Sequence, residues 1–413
     1  MSRWSHLSIQ MEREERWRRG RPCSWYFLDI LARGVVVEHI NNIQRARKNG
    51  PIHRFRVAGE VMVTLSAAML MEVWRWKQSA DGTMSFSLEM YLPFGPGKKW
   101  FYLCPSGRRL VAWAADKGIS FWTLTPPASN SQEGEGSQRR YPLFHQPWNF
   151  SQGYEIPVTI LGDVYVTIRR NEHLSVWEHK GGKEILRWKV EDQELFNLRD
   201  TLLIPRPRPQ GDLPVVQHVM VMIGHHRIWV YDGESGARIQ DILLEGDVPD
   251  LGEGVELEET LLEPRFFFSS GRRLEDKRET YVCMAGKAYI LQEEVNDKGD
   301  ARWKVMGLEI IEDSLGRSAV VAVMNHDRAL VLTWSEEEAG RTLSMINRRA
   351  SPRSLRPIQL LFEPSAYNLA MDGRCIYFMT RDGLEIYVYS FDPMMPLSYP
   401  MGKEEMRDRV ING

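Results

Sequence analysis

Apolar and polar residues alternate along most of the chain, in short runs that end at glycine, aspartate or asparagine. A period of two puts every second side chain on the same face of an extended strand, so each run predicts a β-strand. Short turns of Gly, Asp and Asn between such runs are typical of antiparallel hairpins. The pattern therefore predicts an all-β chain with few helices.

One unit of three strands joined by tight turns occurs seven times, beginning roughly every 40–60 residues. A small sheet of this kind has two apolar faces, and sheets packed radially around an axis bury both of them. We therefore predict a seven-bladed β-propeller over residues 51–392. A two-sheet sandwich is the competing all-β fold, but about 28 strands are too many for it. The seven copies begin at Glu60, Arg109, Asp163, His218, Thr280, Ala319 and Arg374.

A further apolar run precedes several copies, and we expect it to be the innermost strand of each blade. Its apolar composition favours a packed channel over a channel lined by catalytic groups. The runs that show this best are 100–104, 157–161, 261–268 and 358–362.

The last copy ends after its third strand, at Phe391, so the fourth strand of its sheet must come from elsewhere in the chain. We expect the N-terminal part, residues 1–50, to supply it from the β-branched segment 34–40 or one close to it. A short helix over residues 25–47 is the alternative. Residues 393–413 are expected to form a loosely attached C-terminal tail.

The composition indicates a large hydrophobic core and a nearly balanced charge. The chain has 413 residues, 43% of them hydrophobic, and a net charge of −2, which gives no general attraction to nucleic acid or anionic lipid. No apolar stretch reaches 18 residues and the first residues contain no apolar run, so we expect no secretory leader, no membrane association and a cytoplasmic or nuclear location. Four widely spaced cysteines predict buried free thiols: Cys23, Cys104, Cys283 and Cys375.

Residues 175–182 (SVWEHKGG) and 229–236 (WVYDGESG) close an aromatic strand with an acid-plus-glycine turn. These segments resemble the end of a WD repeat, and the seven copies resemble degenerate WD repeats. No copy begins with a clear Gly-His pair and no Trp-Asp dipeptide occurs. The hydrogen-bonded tetrad of that family is therefore expected to be largely absent.

A second resemblance lies at the N-terminus. Residues 15–21 (ERWRRGR) resemble the junction between an F-box and the following propeller in fungal F-box proteins, with Trp17, Arg18, Arg19 and Gly20 at the junction. The resemblance implies a substrate receptor of a ubiquitin ligase, with the F-box truncated or absent in this sequence. The partner that it implies is the ligase's adaptor subunit.

The sequence contains no catalytic motif among those we sought. There is no Gly-x-Ser-x-Gly elbow and no phosphate-binding Gly-x-x-x-x-Gly-Lys-Ser/Thr string. His225 and His226 are adjacent in a predicted turn, where neighbouring side chains rarely share one metal ion. We expect no enzyme activity, no metal and no other cofactor.

Charge is unevenly distributed. Residues 1–60 contain twelve Lys or Arg against six acids, whereas residues 241–263 contain nine acids and no Lys or Arg. A solvated helix explains the basic segment better than nucleic-acid binding, since no stacking motif accompanies it. The two segments are alternatively expected to attract each other.

Together these features predict a non-catalytic protein-interaction module, the substrate-recognition part of an F-box-type receptor. A scaffold subunit of a larger assembly is the alternative, and an enzyme that uses the propeller channel is a third. Tryptophans in the third strands are interpreted as packing between blades. The candidates for protein contact are four arginines placed in predicted turns: Arg108, Arg109, Arg272 and Arg273.

Overall fold

The computed structural model places strands through most of the chain. The residues it describes are 3–19, 21–29, 52–66, 71–92, 99–104, 107, 109–114, 118–124, 155–169, 173–181, 183–206, 215–224, 226–244, 267–274, 277–284, 287–295, 301–310, 319–324, 328–335, 340–347, 355–357, 368–379 and 385–397. No helix within these ranges is long and apolar enough to cross a membrane.

The chain divides into two compact units. The first consists of residues 1–55, 63–91 and 244–413, and the second of residues 56–62 and 92–243. Between them the described residues form seven sheets, numbered here in chain order, which match the seven predicted copies.

The first unit begins with helix α1 (Arg3–Arg19) and strand β1 (Ser24–Asp29). Sheet 1 consists of β2 (Ile52–Ala58), β3 (Val61–Ser66), β4 (Met71–Gln78) and β5 (Met84–Leu92). Sheet 5 consists of β17 (Phe267–Leu274), β18 (Lys277–Met284), β19 (Lys287–Val295) and β20 (Ala301–Ile310). Sheet 6 consists of β21 (Ala319–Met324), β22 (Arg328–Ser335), β23 (Gly340–Asn347) and β24 (Leu355–Pro357). Sheet 7 consists of β25 (Asn368–Met371), β26 (Cys375–Met379), β27 (Glu385–Ser390) and β1.

The second unit contains sheets 2, 3 and 4. Sheet 2 consists of β6 (Lys99–Leu103), β7 (Arg109–Ala114) and β8 (Gly118–Thr123). Sheet 3 consists of β9 (Glu155–Leu161), β10 (Val164–Arg169), β11 (His173–Lys180) and β12 (Lys183–Glu191). Sheet 4 follows a short 3₁₀ turn (Gln193–Asn197) and consists of β13 (Leu198–Pro205), β14 (Val216–Ile223), β15 (Arg227–Asp232) and β16 (Arg238–Leu243).

Burial follows the position of each strand in its sheet. In sheet 4 every residue of β14 except Gln217 is buried, whereas the fourth strand, β16, buries only Ile242. Middle strands are apolar on both faces because neighbouring sheets cover both of them. Sheets 3 and 4 share one such core, which includes Val176, Trp188 and Trp229.

The first strand of sheet 3, β9, lies against the first strands of sheets 2 and 4, β6 and β13, as expected of innermost strands. The predicted runs 100–104 and 157–161 coincide with β6 and β9 to within two residues. The run 261–268 overlaps β17 only at its last two residues, and 358–362 lies outside the described residues.

The fourth strands of sheets 3, 4 and 5 share an irregularity. Each contains one extra residue that has no partner in the third strand: Arg187, Ile239 and Met306. Such bulges twist an exposed edge and disfavour pairing with a further strand.

Sheet 7 joins the two ends of the described chain. Strand β1 pairs antiparallel with β27 from Ser24 opposite Ser390 to Asp29 opposite Glu385. The fourth strand of this sheet is therefore residues 24–29, which are extended and not helical, whereas the predicted segment 34–40 lies outside the described residues.

The residues after Asp392 differ from the expected loose tail. Leu397 is fully buried, and its N–H donates to Oγ of Ser24 at 3.0 Å. The N–H of Met84 in β5 donates to the carbonyl of Pro396 at 2.7 Å. Residues 393–397 thus contact both sheet 1 and sheet 7, and residues 398–413 lie outside the described residues.

Candidate functional site

Helix α1 packs against the end of sheet 7 through an aromatic contact. Trp17 is 1% exposed, and its ring stacks on Phe391, with centroids 3.9 Å apart and planes 11° apart. Phe391 directly follows β27, the strand that pairs with β1. The last turn of α1 is therefore held where the first and last parts of the chain meet.

A buried carboxylate adds an electrostatic contact at the same place. The side chain of Asp392 is 7% exposed, and its Oδ2 lies 3.7 Å from Arg13 of α1 and 3.5 Å from Arg374. Its Oδ1 accepts a hydrogen bond from the N–H of Met394 at 3.0 Å. Asp392 thus connects α1, the turn before β26 and the C-terminal segment.

Charged side chains on the rest of α1 pair along the helix. Glu12 contacts Arg16 at 3.0 Å, and Glu15 contacts Arg18 at 2.6 Å and Arg19 at 2.5 Å. Hydrogen bonds from Arg18, then from Arg19, lower the pKa of the Glu15 carboxyl to about 2. The pairs are exposed, so each adds little to stability.

The structure separates the residues of the junction motif. Trp17 points inward, whereas Arg18 and Arg19 are exposed and pair with Glu15. Gly20 lies outside the described residues. The motif therefore combines a packing residue with a charged outer surface.

Another part of the surface of α1 exposes two large apolar side chains one turn apart. Leu7 is 43% exposed and Met11 is 72% exposed. They line an open depression together with Gln10 and Glu14. Sequence reasoning missed this pair, although the spacing of four residues places both on one helix face.

Arg109 is engaged between sheets 2 and 3. Its Nε donates to Oδ1 of Asp163 at 2.7 Å, and its Nη1 donates to Oγ1 of Thr123. Its guanidinium lies 5.8 Å from the ring centroid of Phe121, which stacks on His179. Arg109 therefore joins sheets 2 and 3. It was instead predicted from the sequence to contact a partner protein.

The predicted turn positions of the other arginines need correction. Arg272 and Arg273 lie within β17, and Arg273 is opposite Arg278 in the antiparallel register with β18. Arg109 is likewise the first residue of a strand, β7. The strand before the fifth copy, β17, therefore ends later than the predicted run 261–268, at Leu274. Arg108 lies outside the described residues.

Six other exposed apolar residues lie on fourth strands, which sequence analysis did not single out. They are Ile185 and Leu186 in β12, Ile239 and Leu243 in β16, and Val305 and Met306 in β20. Among the described residues, no three His, Cys, Asp or Glu side chains form a group that could hold a metal ion.

The chain is similar to solved structures, one of which is a β-propeller domain. It matches the Cps50 (Swd1) β-propeller domain of Myceliophteria thermophila with a TM-score of 0.52 and 8% identity, over 83% of this chain and 96% of that chain. It matches BamB of Moraxella catarrhalis with a TM-score of 0.43 and 11% identity, over 82% and 96% of the two chains.

No protein-family model and no curated protein sequence matches the chain. At such low identity the likeness to the Cps50 domain shows the fold alone. Together with seven small sheets, it confirms the prediction of an all-β propeller.

Proposed function

We propose that this chain is a non-catalytic protein-interaction module, the substrate-recognition part of an F-box-type ubiquitin ligase receptor. The observation that carries the proposal is the way α1 packs: Trp17 is buried against Phe391, while Leu7 and Met11 are exposed. A helix held at its last turn, with two large apolar side chains exposed among charged ones, suits contact with a protein partner. The resemblance of residues 15–21 to an F-box junction supports the same function.

The partner on this face would be the adaptor subunit of the ligase, in the cytoplasm or nucleus. Substrate would bind elsewhere on the propeller, and no cofactor is required. Arg108, Arg272 and Arg273 remain candidates for substrate contact. Arg109 is not retained, because its guanidinium already pairs with Asp163.

The test is a pull-down of purified ligase adaptor by the full chain, with and without any in-frame upstream coding segment. Replacing Leu7 and Met11 together with aspartate should weaken adaptor binding at least about tenfold, since a charge in an apolar contact must be desolvated. Failure of the adaptor to bind either form of the chain would sink the F-box assignment.

The matched control is the double replacement Ile239→Asp and Leu243→Asp on β16. These residues are 44% and 64% exposed, close to 43% for Leu7 and 72% for Met11. The control should bind the adaptor as the wild type does. Equal loss in both variants would mean that added negative charge, and not the α1 face, weakens binding.

A scaffold subunit is the second candidate, and the exposed residues of the fourth strands favour it. Apolar side chains are exposed on β12, β16 and β20, and each of these strands is bulged. Because a bulge disfavours strand addition, a partner there would bind the side chains. Under this alternative, the β16 variant and not the α1 variant would release partners.

A further inference from the structure

The C-terminal segment, residues 393–397, is hydrogen-bonded at each of its amides. Its two prolines have no N–H. The N–H of Met394 donates to Oδ1 of Asp392 at 3.0 Å, and the N–H of Met395 donates to the Asp392 carbonyl at 2.9 Å. Asp392 therefore holds a tight turn at the start of the segment.

Ser24 holds the other half of the C-terminal segment. The N–H of Leu397 donates to Oγ of Ser24 at 3.0 Å, and that hydroxyl donates to the carbonyl of Met395 at 3.4 Å. Ser24 is 3% exposed and is the first residue of β1, shortly after α1 ends. The segment is thus bound at one end to Asp392 and at the other end to the start of β1.

Asp392 also contacts α1, so one side chain serves both elements. Its Oδ2 lies 3.7 Å from Nη1 of Arg13, and the preceding residue, Phe391, stacks on Trp17. Arg13 and Trp17 are one turn apart on the helix, which puts them on the same face. This face of α1 packs on two consecutive residues, and the second of them holds the C-terminal segment.

The buried charge of Asp392 is compensated in part by α1. Its side chain is 7% exposed, and a carboxylate so far removed from water needs cations nearby. Among the described residues, the cations within 4.0 Å are Arg13, which is 29% exposed, and Arg374, which is 62% exposed. Release of α1 leaves Asp392 with the more exposed cation, whose attraction is screened more by solvent. The turn that Asp392 holds is therefore weaker when α1 is released.

We propose that α1 and the C-terminal segment dock and release as one unit, coupled through Asp392. Proteins open locally in small cooperative units, and elements that share a buried contact open together. The coupling is a property of the chain itself and does not depend on which partner binds α1. A ligand or a modification that releases either element releases the other.

The test measures amide hydrogen exchange by NMR in the wild type and in Arg13→Gln. Arg13 contacts Asp392, whereas the N–H of Leu397 bonds to Ser24, so the Leu397 amide reports on coupling and not on the altered contact. This amide and those of α1 should exchange about threefold faster in the variant, because the lost ion pair no longer opposes opening. Faster exchange in α1 alone, or no change in either element, would overturn the proposal.

The matched control is Arg16→Gln. Arg16 lies on the same helix and is 32% exposed, close to 29% for Arg13, but it pairs with Glu12. Its replacement should leave the exchange of Leu397 unchanged. An increase equal to that in Arg13→Gln would mean that any lost positive charge on α1 has this effect, and it would reject the coupling through Asp392.

Asp392→Asn tests the link itself, because asparagine keeps an oxygen that accepts hydrogen bonds but carries no charge. In this background, Arg13→Gln should not speed the exchange of Leu397 any further. A further threefold increase would show that Arg13 acts through another residue. The amides of β14 give the rate of global unfolding. Exchange of Leu397 no faster than theirs in the wild type would also overturn the proposal, since the segment would then open only with the whole protein.

Discussion

Gly236 shows how a single residue sets the packing between two sheets. It has a φ of +71°, and a Cβ there would lie 2.6 Å from Cδ2 of Trp188. Trp188 belongs to sheet 3, and its Nε1 donates to the carbonyl of Gly233 at 3.1 Å. The turn between β15 and β16 therefore serves as the surface on which the tryptophan of the previous sheet packs.

Replacing Gly236 with alanine should destabilise the protein by about 2–5 kcal/mol. The left-handed backbone costs about 1–2 kcal/mol for a residue with a Cβ, and the clash with Trp188 adds about 1–3 kcal/mol. Urea denaturation measures the loss.

Gly181→Ala separates the two contributions. Gly181 has a φ of +60°, but nothing lies within 4 Å of an added Cβ. It should therefore show only the backbone cost. If Gly181→Ala and Gly236→Ala are equally destabilising, the packing of Trp188 contributes nothing at this position.

At the scale of the element, α1 depends on its last turn. Among the side chains of α1 whose burial is described, only that of Trp17 is buried. Most of the stability of a helix in a protein comes from tertiary packing, so the contact of Trp17 with Phe391 is the main apolar contribution that keeps α1 docked.

Trp17→Ala should release α1 while the sheets stay folded, because β1 continues to pair with β27. Limited trypsin digestion should then cut at the arginines of α1 at least about tenfold faster, as local opening becomes easier. Met11→Ala is the control, since Met11 is 72% exposed and should leave the cleavage rate unchanged. Unchanged cleavage in Trp17→Ala would show that the stack does not hold the helix.

At the scale of the whole molecule, sheet 7 is completed only when both ends of the described chain are present. Strand β1 lies more than 350 residues before β27, and residues 393–397 then connect this sheet to β5 of sheet 1. Both connections bring together parts of the chain that are distant in sequence, so their loss should weaken a large part of the first unit.

Leu397→Asp should destabilise the protein by about 3 kcal/mol or more, because it places a charge at a fully buried position. Thermal unfolding measures the change. Met394→Asp lies in the same segment at a position 52% exposed, so it should alter stability by less than about 0.5 kcal/mol. A Leu397→Asp protein as stable as the wild type would mean that residues 393–397 are only loosely attached after all.

The sequence by itself determined the strands and their sevenfold repetition. A short apolar run bounded by turn residues is a local property, and it predicts strands such as β14 and β15, whose two faces are both covered. The hydrogen bonds of Trp74 to Thr64 and of Trp177 to Thr167, both 3.0 Å, also had a sequence signal in their shared spacing of ten residues. That signal becomes meaningful only once the pairing of the strands is known.

The tertiary structure alone decided which residues meet across the chain. Arg109 binds Asp163, 54 residues away, and Trp17 stacks on Phe391, so neither contact has a local pattern that could predict it. The choice of residues 24–29 as the fourth strand of sheet 7 has the same origin, since several N-terminal segments have strand-forming composition. Periodicity depends on neighbours in sequence, whereas these contacts depend on where each sheet packs against the next.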